Sequence, residues 1–62
     1  MTQKELMYVE DAIGHERVIL SLCEKSCEYL EDETLVAFME SEIKKHNATL
    51  KGLMAKLEEC AE

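Results

Sequence analysis

Proline and tryptophan are absent from the 62 residues, and glycine occurs only twice. Because proline and glycine are the residues that most often end helices and shape turns, their scarcity argues against turn-rich folds. The remaining composition, 34% charged and 47% hydrophobic, is that of an ordered helical protein, and disorder is not expected. We therefore predict an all-α fold.

Positive charge is also scarce. Seven Lys and Arg residues stand against 14 Asp and Glu residues, which gives a net charge of -7 and argues against nucleic acid as a partner. No run approaches the roughly 20 apolar residues that span a bilayer, so no membrane partner is expected. The opening "MTQKELMYVED" lacks the basic and apolar segments of a signal peptide. We expect a cytoplasmic protein.

The three cysteines, Cys23, Cys27 and Cys60, form an odd set, which disfavours a disulfide framework. Cys23 and Cys27 are one helical turn apart, so two such pairs in a dimer could make a four-sulfur metal site, and a zinc or haem site remains an alternative. The simpler interpretation is that they are small buried apolar side chains.

The only clear break in the helical pattern lies near "YLEDETL". Thr2 with Glu5 forms a capping box, and Asp32 can cap a second helix. The sequence predicts one domain, 1–62, with helices over about 3–30 and 33–60 and a turn at about 31–33. So short a turn makes the helices antiparallel, and the expected unit is a helical hairpin.

Each helix carries one heptad seam, a row of mainly apolar residues at alternating spacings of three and four. The first seam is Leu6, Val9, Ile13, Glu16, Leu20, Cys23, Cys27 and Leu30. The second is Val36, Met39, Ile43, His46, Leu50, Leu53, Leu57 and Cys60. Each seam has a single polar member near its middle, Glu16 in the first and His46 in the second.

The first helix has a further stripe, too far around the helix to face the same partner: Tyr8, Ala12, His15, Ile19, Leu22, Ser26 and Tyr29. A lone hairpin would leave this stripe in water, and a chain of this size needs help to be stable. We therefore predict a homodimeric four-helix bundle, or a larger even assembly, with the chain itself as partner.

Glu16 needs a partner, because an unpaired ionised glutamate in a dry core costs several kcal/mol. With a turn centred near residue 33, Glu16 is expected to face Leu50 and His46 to face Leu20, which places the two polar residues roughly 6 Å apart. One hypothesis is a polar layer, in which Glu16 and His46 hydrogen-bond across the dimer and fix its register.

The other hypothesis is a metal site. Two hairpins would bring Glu16, Glu42 and His46 from each chain to one interior, an inventory typical of di-iron carboxylate bundles. Carboxylate and imidazole ligands together suit iron, manganese or zinc, and of these we expect iron or manganese before zinc. The spacing in "ESEIKKH" is four residues where those bundles have three, so Glu42 can turn inward but is not forced to. Asp11 and His15 repeat this spacing and would add a flanking pair, although His15 also fits an ordinary boundary histidine.

Three segments, "LMYVEDAIGHERVI", "LEDETLVAFMESEIKKH" and "LMAKLEE", give the chain a resemblance to short helical-hairpin proteins of spore-forming Firmicutes that are often labelled spore coat proteins. Those proteins in turn resemble half of a ferritin-like bundle. The resemblance implies a self-assembling, cytoplasmic or spore-associated protein, and its ferritin-like side implies iron or manganese ligands at Glu16, Glu42 and His46. The first hypothesis is thus a non-enzymatic assembly protein, and the alternative is a minimal ferritin-like metal protein with ferroxidase-like chemistry.

Overall fold

The computed structural model describes residues 1–59 and contains two α-helices, α1 (Gln3–Tyr29) and α2 (Glu33–Glu59). They pack against each other as an antiparallel hairpin, which confirms the predicted all-helical hairpin. Residues 60–62 lie outside the described part, and with them Cys60, the last position of the second seam. No helix within residues 1–59 is long and apolar enough to cross a membrane.

Side-chain caps fix the start of both helices. At α1 the Thr2 hydroxyl accepts from the Glu5 backbone N–H at 3.1 Å, and the Glu5 carboxylate accepts from the Thr2 N–H at 2.8 Å. Hydrogen bonding of the Glu5 carboxylate to the Thr2 backbone N–H, and next to the Thr2 side chain, holds the pKa of that carboxyl below its ordinary value. At α2 the Asp32 carboxylate accepts from the N–H groups of Thr34 and Leu35 at 2.8 and 3.1 Å. Local sequence therefore defines where each helix begins.

The turn, Leu30–Asp32, sets the register of the hairpin. Both helices have 27 residues, and they are placed symmetrically about residue 31. Glu16 and His46 are each fifteen residues from residue 31, so they lie at the same height. The expectation that Glu16 faces Leu50 was wrong, because it took the turn to be centred two residues later.

The core of the hairpin is thin. Only Ile13, Leu20 and Cys23 of α1 are buried, and no described residue of α2 is. The molecule measures 46 × 14 × 11 Å, which is the length of one helix and the thickness of a single layer of helices. Each seam is therefore covered by one neighbouring helix only, and most seam residues are half-buried.

Candidate functional site

Glu16 and His46 meet at mid-height in the interface between α1 and α2. The His46 Nδ1 atom lies 2.5 Å from Glu16 Oε2, and the two side chains are 28% and 16% exposed respectively. The predicted polar layer had this bond running between two chains, whereas here it joins the two helices of one chain. The equal height of the two residues explains the difference, since neither side chain has to reach along the helix axis.

Glu42 lies on the other side of the His46 ring. Its Oε2 is 3.7 Å from His46 Nε2, one helical turn earlier on α2, and its Oε1 is 3.6 Å from the ammonium group of Lys45. The Glu42 side chain is 27% exposed. The imidazole is thus flanked by two carboxylates, one bonded to Nδ1 and one just beyond hydrogen-bond distance of Nε2.

This arrangement constrains the hydrogen atoms of His46. An ionised carboxylate only accepts hydrogen bonds, so the bond to Glu16 requires a hydrogen on Nδ1. In a neutral imidazole the Nε2 lone pair then faces Glu42, and two acceptors oppose each other. With that hydrogen on Nδ1, Nε2 is the free acceptor of the ring, and a cation can be held between Nε2 and Glu42.

Asp11 and His15, the proposed flanking pair, are both exposed on α1. Among residues 1–59 neither takes part in a side-chain hydrogen bond or ion pair. The structure brings Glu16, Glu42 and His46 together and leaves Asp11 and His15 apart from them.

The cysteines of the first seam fit a packing role. Cys23 is buried, Cys27 is half-buried, and both are free thiols. Burial raises the pKa of the Cys27 thiol, and the nearby Glu40 charge and Cys23 raise it further. Over the described range, no group of three or more His, Cys, Asp and Glu side chains in one chain is placed to hold a metal ion.

Two sides of the hairpin differ in character. On one side a groove of about 280 Å³ runs between the helices, lined by Glu10, Ile13, Gly14, Arg17, Met54 and Leu57. Apart from the seam residues Ile13 and Leu57, each lining residue immediately follows a seam residue. The residues that immediately precede a seam residue lie on the opposite side by helical geometry, and we call that side the open face.

Five of the nine large apolar side chains that are exposed among residues 1–59 lie on the open face. On α1 it is the stripe Tyr8, Ala12, His15, Ile19, Leu22, Ser26 and Tyr29. On α2 it is Leu35, Phe38, Glu42, Lys45, Thr49, Gly52 and Lys56. Tyr8, Leu22 and Phe38 are 62%, 60% and 60% exposed. Sequence reasoning missed the contribution of Leu35 and Phe38, although both occupy the position before a seam residue, as the α1 stripe does.

Comparisons with protein-family models, with curated proteins and with solved structures found no match for the chain.

Proposed function

We propose that this chain is a self-associating structural protein whose hairpin packs against a second copy to form a four-helix bundle. The observation that carries the proposal is the solvent-accessible surface area of the single chain. The chain exposes 5065 Å². A compact folded protein of 7.1 kDa exposes about 4,100 Å². The excess, about 1,000 Å², is close to the roughly 800 Å² that each partner buries in a standard interface.

Shape supports the same proposal. The radius of gyration is 14.4 Å, against about 10.6 Å for a compact domain of this length. Two such layers placed face to face would give the proportions of a four-helix bundle and would cover the open face. The resemblance to spore-associated hairpin proteins is in keeping with an assembly role, and we include a spore-coat component in the proposal.

The test is the mass of the protein in solution. Sedimentation equilibrium over about 1–100 μM should give a mass of two chains or a larger even number. A mass of one chain across that range would overturn the proposal, because the open face would then be a stable solvent-exposed surface.

A second candidate function is binding of a divalent cation, iron or manganese in preference to zinc, within the assembled bundle. The observation that favours it is the gap of 3.7 Å between His46 Nε2 and Glu42 Oε2. Two adjacent ligands of an octahedral ion, each bonded at about 2.1 Å, lie about 3.0 Å apart, so a small rotation of the two side chains would bring both atoms onto one ion. Glu16 would then orient the ring through Nδ1, the role that a carboxylate commonly plays behind a metal-bound histidine. One chain offers only two such ligands, so the site requires a second copy.

Titration of metal-free protein with Mn(II), Zn(II) and, without oxygen, Fe(II) tests this candidate by calorimetry. We expect His46→Ala and Glu42→Gln to abolish binding, and Glu16→Gln to weaken it about 10- to 100-fold. Glu58→Gln, an exposed change of the same charge on α2, is the control and should bind normally. Absence of binding by the unaltered protein, or equal binding by all four variants, would remove the candidate.

A further inference from the structure

Between Leu35 and Gly52, the open face of α2 is complementary to itself when read in reverse, and Lys56 lies beyond this stretch. From the turn outward it runs Leu35, Phe38, Glu42, Lys45, Thr49, Gly52. When these residues are paired from the two ends inward, the pairs are Leu35 with Gly52, Phe38 with Thr49, and Glu42 with Lys45. Two pairs match a large apolar residue with a small one, and the middle pair matches an acid with a base. A twofold axis requires this property, because residue i must contact j while j contacts i.

The α1 stripe has a matching symmetry. Read from its ends inward, it pairs Tyr8 with Tyr29, Ala12 with Ser26 and His15 with Leu22, with Ile19 near the centre. The midpoints of the two stripes, between residues 18 and 19 on α1 and between 43 and 44 on α2, are equally far from residue 31. They therefore lie at the same height in the hairpin, so one axis can serve both stripes.

We propose that the partner of the open face is a second copy of this chain, related by a twofold axis that crosses the helices at this height. Each α1 then packs antiparallel on the other α1, and each α2 on the other α2. Leu35 fits against Gly52 of the second copy, and Glu42, which lies 3.6 Å from its own Lys45 in the single chain, also meets Lys45 of the second copy. This inference rests on the proposed self-association and adds to it the orientation and the register.

Gly52 gains a role in this arrangement. In the single chain a Cβ atom at Gly52 meets nothing within 4 Å, and the same holds for Gly14. Neither glycine is therefore required by the hairpin itself, although each weakens helix formation. Gly52 lies on the open face, where the arrangement needs a small residue opposite Leu35, whereas Gly14 lines the groove on the other side.

The two glycines provide a matched test. Gly52→Leu should raise the dissociation constant of the dimer at least tenfold, and Gly14→Leu should change it less than threefold. The double variant Leu35→Ala, Gly52→Leu should recover most of the affinity, because the large side chain is then at position 52 and the small one at position 35. Circular dichroism should show that helix content is unchanged or higher in all three variants.

Outcomes that contradict the inference differ from those that contradict self-association. Dimers of unaltered affinity in Gly52→Leu would overturn the proposed register while leaving the dimer in place, and a monomeric unaltered protein would overturn both. A second measurement uses carbodiimide cross-linking of a mixture of ¹⁴N and ¹⁵N chains. A peptide joining Glu42 of one isotope to Lys45 of the other is expected. Mixed-isotope links that join α1 of one chain only to α2 of the other would show that each α1 packs on the other α2, and would overturn this arrangement.

Discussion

Glu16 and His46 are half-buried, and the hydrogen bond between them replaces hydrogen bonds that each side chain would otherwise make to water. Removing one partner leaves the other without its bond, at a cost of about 1–3 kcal/mol, whereas replacing both by apolar residues can be nearly neutral. We therefore expect Glu16→Leu or His46→Leu alone to destabilise the hairpin more than the double variant does. Urea unfolding at fixed protein concentration measures this, with Glu28→Leu on the exposed side of α1 as control.

Additive effects of the two substitutions would contradict this prediction, since residues in contact couple in a double-mutant cycle. The cycle also bears on cation binding. If it is repeated with Mn(II) or Zn(II), a bound cation would add stability to the unaltered protein only.

Cys27 should react slowly with alkylating reagents. Because the thiolate is the reactive form and burial raises the pKa of this thiol, less thiolate is present at pH 8 than in a free cysteine. Its rate with iodoacetamide, followed by mass spectrometry of each cysteine peptide, should keep rising above the pH at which free cysteine levels off. Glu40→Gln removes a nearby negative charge and should increase the rate at pH 8. A rate equal to that of free cysteine would show that the site does not disfavour the thiolate.

The start of α2 depends on one side chain. The Asp32 carboxylate accepts two backbone N–H groups of the first turn, and removing such a cap costs about 1 kcal/mol. Asp32→Ala should therefore lower the midpoint of thermal unfolding. Glu31→Ala, which removes the same charge one residue earlier, should lower it much less. Equal midpoints for the two variants would mean that charge alone, and not the cap, matters at this turn.

The hairpin and its caps could be predicted from the sequence because they depend on local patterns, such as Thr2 with Glu5 and the alternating spacing of the seams. The register could not be predicted with the same accuracy. An error of two residues in the centre of the turn shifts facing positions by four residues, about one helical turn, and this assigned Leu50 to Glu16. The sequence predicted the bond between Glu16 and His46 across a dimer, and the turn at Leu30–Asp32 places it within one chain.

The candidate site was predictable in its residue types and not in its geometry. The spacing of Glu42 and His46 left the direction of the Glu42 side chain open, and the structure gives the separation of 3.7 Å. Asp11 and His15 have the same spacing without a seam partner, and they remain exposed. The contacts that cover the open face lie between chains, so the seams and caps of one hairpin do not supply them.

For the molecule as a whole, self-association should make thermal stability depend on concentration. If two chains unfold as one unit, mass action adds about 1.4 kcal/mol for each tenfold increase in protein concentration. With the usual unfolding entropy of a bundle of this size, the midpoint should rise by about 5 °C per tenfold increase. Circular dichroism melts at 1, 10 and 100 μM measure this. A midpoint independent of concentration would indicate a hairpin that is stable alone.

The short turn has a further consequence for the order in which the hairpin opens and closes. Contacts beside Leu30–Asp32 enclose the smallest loops and so cost the least chain entropy, and each step toward Gln3 and Glu59 encloses a longer one. Glu16 and His46, 30 residues apart in sequence, lie halfway along this series. They mark the boundary between the half of the hairpin next to the turn, which closes early, and the half next to Gln3 and Glu59, which frays first. Amide hydrogen exchange should therefore be slowest between the Glu16–His46 pair and the turn.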